Sequence, residues 1–235
     1  MRAGTWMNGL TRSSEHFKPY NMSLTTGLIA VKGQYLDAIQ DIVSAFRFVD
    51  NQNGEVVKNW NEVVNIITDL HRHSMGDYKE THVFWYHNGW TIMEDMSLIL
   101  CADDEALEAI SQRLNTPVFS LLTQGTSGCF GFWYFDKKKI RHFYIEDGTV
   151  IENYGKALAG EVKYNINENA FYDDVLGVAR ELGIDWAAAE KHDHFIVKEL
   201  DLEPSYIEEL RPLVEKHLQE QAERARLKKP WWKLW

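Results

Sequence analysis

The chain has few cysteines and no long apolar run, and each shortage excludes a class of protein. Only two of its 235 residues are cysteines, Cys101 and Cys129, which is too few for the disulfide framework of a small secreted domain. Both lie in apolar stretches, so we expect two buried thiols. No apolar run reaches the roughly 18 residues that a membrane-spanning helix needs, and no secretory signal is recognisable. We therefore expect a cytoplasmic protein.

Basic residues are also scarce. The chain has 25 Lys and Arg against 35 Asp and Glu, and residues 22–204 alone hold 15 against 29. An acidic body repels phosphate groups, so the composition predicts no binding to nucleic acid and disfavours binding to an anionic membrane through that body. The same charge suits a basic protein partner. The alternative is that the acidity only keeps the protein soluble.

Composition divides the chain into three parts. Residues 1–21 carry no clear hydrophobic period and are interpreted as a flexible lead-in. Residues 22–203 alternate strand and helix patterns and predict one α+β domain. Residues 204–235 predict a long C-terminal helix that ends in a basic, tryptophan-rich tail.

Residues 127–151 are the most informative stretch, since they alternate aromatic and β-branched residues around two turn signals. The pattern predicts a β-meander with strands at 129–135, 140–146 and 149–151. Residues 137–139 and the pair Asp147-Gly148 mark its turns. Residues 81–96 predict a further hairpin, because Asn88-Gly89 tolerates the positive φ values of a two-residue turn.

The remaining elements are predicted from hydrophobic spacing. Helices are expected at 35–48, 60–70, 104–114, 172–182 and from 204 onwards. Strands are expected at 24–31, 97–101 and 118–122, and residues 194–199 fit a strand or a helix. Local hairpins between groups of helices indicate an α+β fold with a mainly antiparallel sheet that helices cover on one face.

Three groups of side chains are candidates for chemistry. The carboxylates around Asp103 and Asp104 are interpreted as helix-capping groups, because acidic residues are favoured at a helix start. His192 and His194 would share a face in a strand and are weak metal candidates, since no third ligand is identifiable. Cys129, in a glycine-rich bend, would need a neighbouring base to act as a nucleophile. We therefore predict no cofactor, no metal and no catalytic residue.

The C-terminal tail needs its own explanation. Residues 224–235 contain five basic residues, no acid and three tryptophans, Trp231, Trp232 and Trp235. Three roles are open for these tryptophan side chains: they fold back onto the body, lie at a membrane interface or insert into a partner.

The order of these pieces is familiar. NGWTIMEDMSLIL, an acid-capped helix, VFSLLTQGTSGCFGFWYF, IRHFYIEDGTVIENYGKALAGE and a later helix that ends in ELGID follow one another. This layout resembles small uncharacterised bacterial proteins, some of which are similar to immunity proteins that neutralise a toxin. The resemblance covers roughly residues 24–186 and transfers no catalytic residue.

The sequence thus favours a non-enzymatic protein that binds a basic partner, such as an immunity-like protein that masks a toxin through its acidic surface. The predicted partner-binding residues are Trp85, Tyr86, Trp90, Glu94, Asp95, Asp103 and Asp104, with the three tryptophans of the tail. One alternative is a small hydrolase that uses Cys129 or a histidine and carboxylate set. Another is a peripheral membrane adaptor that acts through the tail.

Overall fold

The computed structural model describes residues 25–73 and 79–227, and in this part of the chain ten strands form one sheet. The strands are β1 (Thr25–Lys32), β2 (Phe48–Val49), β3 (Gly54–Val57), β4 (Lys79–His87), β5 (Trp90–Asp95), β6 (Val118–Gln124), β7 (Cys129–Phe135), β8 (Lys139–Glu146), β9 (Thr149–Gly155) and β10 (Phe195–Leu202). The α-helices are α1 (Gln40–Val43), α2 (Trp60–His73), α3 (Asp104–Leu114), α4 (Tyr172–Glu181) and α5 (Pro204–Leu227). The predicted α+β class is confirmed.

The strand order is β2-β10-β4-β5-β1-β6-β7-β8-β9, and β3 also pairs with β10. All of these pairs are antiparallel. The first strand, β1, lies in the middle between β5 and β6, and β10 from the far end of the domain lies beside β4. The hairpins that the sequence predicts are therefore joined into one sheet by pairs between distant segments.

Helices cover both faces of this sheet, which corrects the prediction that only one face is covered. Alternate residues of β1 point to opposite sides. Leu28 packs in one apolar cluster with Val63 of α2 and Val175 of α4. Ile29 packs in the other with Leu107 of α3. The central strands are consequently buried on both sides.

The turn signals predict the local hairpins correctly. Asn88 and Gly89 have φ values of 49° and 85°, and His87 pairs with Trp90. The meander of β7, β8 and β9 is present, and its last turn also uses two positive φ values, at Asp147 and Gly148. Of residues 194–199, which fitted either element, His194 precedes strand β10 and the other five belong to it.

Two predicted elements are wrong. Residues 97–101 form a turn and a 3-10 turn (Leu100–Ala102) where a strand was predicted. The buried Asp95 carboxylate causes this, because it accepts hydrogen bonds from the Ser97 N–H at 3.1 Å and the Cys101 N–H at 2.9 Å. Residues 35–48, predicted as one helix, form three short helical pieces.

Helix α5 projects from the domain. Pro212 lies inside it and does not divide it, and residues 211–224 are all exposed. The predicted lead-in and the three tryptophans of the tail lie outside the described residues. None of the helices in the described part of the chain is long and apolar enough to cross a bilayer.

Candidate functional site

A cavity of about 570 Å³ opens at one end of the sheet. It lies between the β6–β7 turn, the β8–β9 turn and the start of α4. Its walls are Gln124, Gly125, Gly128, Cys129, Phe130, Gly148, Glu168, Asn169, Ala170, Phe171 and Tyr172. Three segments that are distant in the sequence therefore build one concave site, which is the usual form of a binding site.

The two sheet turns abut each other at the cavity. Gly128 has a φ of 64°, and a Cβ placed there would lie 3.7 Å from the Asp147 Cα. The Ser127 hydroxyl donates a hydrogen bond to Gln124 Oε1 at 2.9 Å and closes the β6–β7 turn. A tight turn on each side thus leaves room for the third wall.

That third wall is the loop that enters α4. The Asn169 N–H donates to Asn167 Oδ1 at 2.8 Å, and the Phe171 N–H donates to Asp174 Oδ2 at 2.9 Å. These bonds hold the loop and cap the helix. Ala170 is buried beneath, whereas the Phe171 ring is largely exposed at the cavity. The floor is therefore apolar.

Charge at the cavity has one sign. Five carboxylates lie in the wall or within two residues of it: Glu146, Asp147, Glu168, Asp173 and Asp174. We call these five residues the acidic rim. Segments 124–130, 145–149 and 165–174, which carry the wall, contain no lysine and no arginine. The site is thus an apolar cavity in a negative surround.

Cys129 contributes a thiol to the wall and is 8% exposed. Its Sγ lies 3.6 Å from the Ser127 carbonyl oxygen, to which the thiol donates. The Tyr144 hydroxyl is its other neighbour, and burial, with the thiol beside it, raises the pKa of Tyr144 to about 12. Among the described residues that line the cavity there is no histidine. The carboxylate among these lining residues is that of Glu168.

His142 lies on the neighbouring strand in a different environment. Its ring stacks on Trp133 with the centroids 4.7 Å apart, and burial lowers its pKa to about 4. His142 pairs with Trp133 in the sheet, whereas Cys129 pairs with Gln124. The two residues thus occupy separate places along the meander.

Four of the predicted partner-binding residues are buried, and the prediction that they form a surface is corrected. Trp85 packs between Trp60 and Phe195 in the core. The Trp90 ring is buried too, and its Nε1 donates to the Leu182 carbonyl at 2.9 Å. Neither tryptophan can contact a partner, because β4 and β5 are inner strands covered on both sides.

Glu94 and Asp95 are buried as well. Asp95 holds the turn after β5, as described above. Burial raises the pKa of Glu94 to about 7, and the neighbouring polar groups of Thr26 and Trp186 oppose that shift. Of the predicted residues that are described, Tyr86, Asp103 and Asp104 remain at the surface.

The two histidine candidates do not lie on a strand. His192 and His194 precede β10, and the His192 ring packs edge-on against His87 with 4.7 Å between centroids. Burial and the neighbouring His87 lower the pKa of His192. Within residues 25–73 and 79–227, no three His, Cys, Asp or Glu side chains are grouped so that they could hold a metal ion.

Sequence reasoning missed the acidic rim, although one signal for it exists. Each of the three wall segments lacks lysine and arginine, but only the fold brings them together. Comparison with protein-family models, curated proteins and solved structures returns no match. The resemblance to immunity proteins therefore rests on the order of elements alone.

Proposed function

We propose that the protein binds a basic protein partner at the acidic rim and masks it, as an immunity-like protein would. The observation that carries this proposal is the cavity whose wall segments contain five carboxylates and no lysine or arginine. Negative potential of this kind attracts a cationic partner and speeds its association.

The apolar floor fits the same partner. A lysine or arginine side chain has an aliphatic stem and a charged head, and it can bury the stem while the head stays with carboxylates. Phe130, Ala170 and Phe171 offer such a surface inside the rim. One basic side chain could thus satisfy both parts of the cavity.

The acidic start of α3, which the sequence favoured, is less suited to this role. Asp104 already pairs with Lys139, and Asp103 accepts from the Ala106 N–H at 3.0 Å. Glu108 accepts from Gln112 and from the Lys139 N–H. In the acidic rim Asp174 is engaged in the same way, by the Phe171 N–H. The proposal therefore rests on the other four carboxylates of the rim.

The proposal is tested with a short lysine homopeptide as the probe, titrated by calorimetry. We expect binding that weakens as salt rises, since the Debye length falls from about 10 Å at 0.1 M to about 3 Å at 1 M. The variant E146Q/D147N/E168Q/D173N should bind about tenfold more weakly or worse, because each exposed charge pair contributes about 0.2–1 kcal/mol.

The matched control is D37N/D41N/E55Q/E62Q. It removes the same charge from exposed positions outside the wall segments. We expect it to bind the probe as the natural protein does. If both variants lose equal affinity, net charge alone attracts the peptide and the proposal fails.

A further inference from the structure

Strand β9 ends the sheet with a long open edge. Among the described residues it pairs with β8 alone. All of its seven residues except Val150 are exposed. An edge strand of this length presents a row of backbone N–H and C=O groups that a further strand can pair with.

The opposite edge is built differently. Strand β10 is flanked there by β2 and β3, which pair with separate parts of it and contain two and four residues. Short edge strands are a common protection against unwanted pairing. In the described part of the chain, one edge of the sheet is therefore covered by short strands, and the other edge, at β9, is open.

We propose that β9 accepts an extended, basic segment of a protein partner as an additional strand. This inference rests on the proposed function and states how the partner is held. Backbone hydrogen bonds along β9 would supply affinity, and side chains at alternate positions would supply selectivity, as in other proteins that bind by strand addition.

Charge decides what kind of strand fits. Glu152 is the one charged residue of β9, Glu146 and Asp147 lie just before the strand, and Lys156 follows it. A second copy of this chain, paired antiparallel about the centre of β9, would place Glu152 against Glu152, and like charges directly opposite destabilise a strand pair. A segment with lysine or arginine opposite Glu152 would instead face a carboxylate.

The edge also leads to the cavity. Gly148 lines the cavity, and β9 begins at the next residue, Thr149. A strand paired with β9 that runs past Thr149 therefore arrives at the acidic rim. The exposed Ile151 and Tyr154 side chains add apolar contacts along the way.

The test compares two peptides of the same sequence, as long as β9, in which lysine and valine alternate. One has an ordinary backbone, and the other is N-methylated at the backbone nitrogens of its central residues, so that it keeps its charge but cannot pair as a strand. We expect the N-methylated peptide to bind at least about tenfold more weakly, because several backbone hydrogen bonds are lost.

Matched variants locate the binding. Ile151→Lys adds a positive charge to β9, and Val56→Lys adds the same charge to β3 at the other edge, where the side chain is about equally exposed (52% and 57%). We expect Ile151→Lys to weaken binding of the ordinary peptide by about tenfold and Val56→Lys to leave it unchanged. Melting temperature and circular dichroism verify that both variants fold, and hydrogen exchange of β9 amides should slow when the peptide binds.

Each other outcome overturns the inference. If both peptides bind the natural protein equally well, and the variant E146Q/D147N/E168Q/D173N binds neither, strand addition fails while the proposed function stands. If neither peptide binds but the lysine homopeptide does, strand addition fails alone. If none of the three binds, both fail. If the two lysine variants weaken binding equally, β9 is not the site. If the free protein sediments as a dimer that Ile151→Lys dissociates, β9 pairs with a second copy instead.

Discussion

Arg141 and Glu161 form a two-point ion pair inside the protein, with Nε 2.9 Å from Oε1 and Nη2 2.9 Å from Oε2. The two side chains are 3% and 5% exposed. Arg141 also donates to Asn153 Oδ1 and to the Tyr154 carbonyl of β9, each at 2.8 Å. Arg141 therefore ties the end of β9 and the segment around Glu161 to strand β8.

Removal of one partner from this pair should destabilise the protein strongly. We expect Glu161→Gln or Arg141→Met to lower the free energy of unfolding by about 3–5 kcal/mol, because the remaining charge is left buried without its counterion. Urea denaturation measures the change. The double variant R141M/E161L should lose less free energy of unfolding than the sum of the two single losses, since neither charge is then left buried without its partner.

The exposed pair of Lys163 and Glu181, 2.7 Å apart, provides the control. Lys163→Met should leave the denaturation midpoint unchanged, because water screens this pair. An equal loss in the Lys163 and Arg141 variants would mean that burial does not decide the effect.

Glu94 should make the stability fall as pH rises. Its pKa lies at about 7 in the folded protein because burial penalises the carboxylate, against an ordinary value of 4.5. Between these values the folded state keeps a proton that the unfolded state has released. The free energy of unfolding should therefore decrease from pH 4.5 to 7, by about 3 kcal/mol for the full shift.

The measurement is urea denaturation of the natural protein and of Glu94→Gln across this range. The amide cannot titrate, so the difference between the two curves isolates this residue. We expect that difference to change steadily from pH 4.5 to 7 and to be constant above it. A difference that does not vary with pH would contradict the raised pKa.

His142 should act with the opposite sign. Burial, with Lys139 nearby, lowers its pKa from 6.5 to about 4. Between these values the unfolded chain binds a proton that the folded protein does not, so the free energy of unfolding should rise with pH from 4 to 6.5. His142→Phe keeps an aromatic ring on Trp133 and should remove this contribution. Denaturation at pH 4.5 and 6.5 compares the two proteins.

The local parts of the fold follow from the sequence, and the assembled parts do not. Asn88-Gly89 and Asp147-Gly148 require positive φ values, so their hairpins are predicted from neighbouring residues alone. The place of β1 between β5 and β6 depends on partners that lie far along the chain. No local pattern encodes that choice, because every apolar strand offers the same backbone groups.

The same limit applies to the site. Trp85 and Glu94 were predicted to contact a partner, because hairpins often have one exposed face. In the fold β4 pairs with β10 and β5 pairs with β1, so both strands lie inside the sheet. The acidic rim, in contrast, was not predicted from the sequence and arises only when distant segments fold together. Glu168 lines the cavity, and Glu146 and Asp173 lie within two residues of other lining residues; only the folded chain brings these segments together.

The two cysteines should differ in reactivity. Both are free, but Cys101 is fully buried beside Asp95, and burial strongly raises the pKa of its thiol. Cys129 lines the cavity. Because the thiolate is the reactive form and must be reached by the reagent, iodoacetamide should modify Cys129 first in the folded protein. Mass spectrometry after peptide digestion reports the order, and Cys129→Ser should leave a protein that reacts only on unfolding.

Bound lysine homopeptide should slow the modification of Cys129 if it occupies the cavity, and an unchanged rate would place the peptide elsewhere.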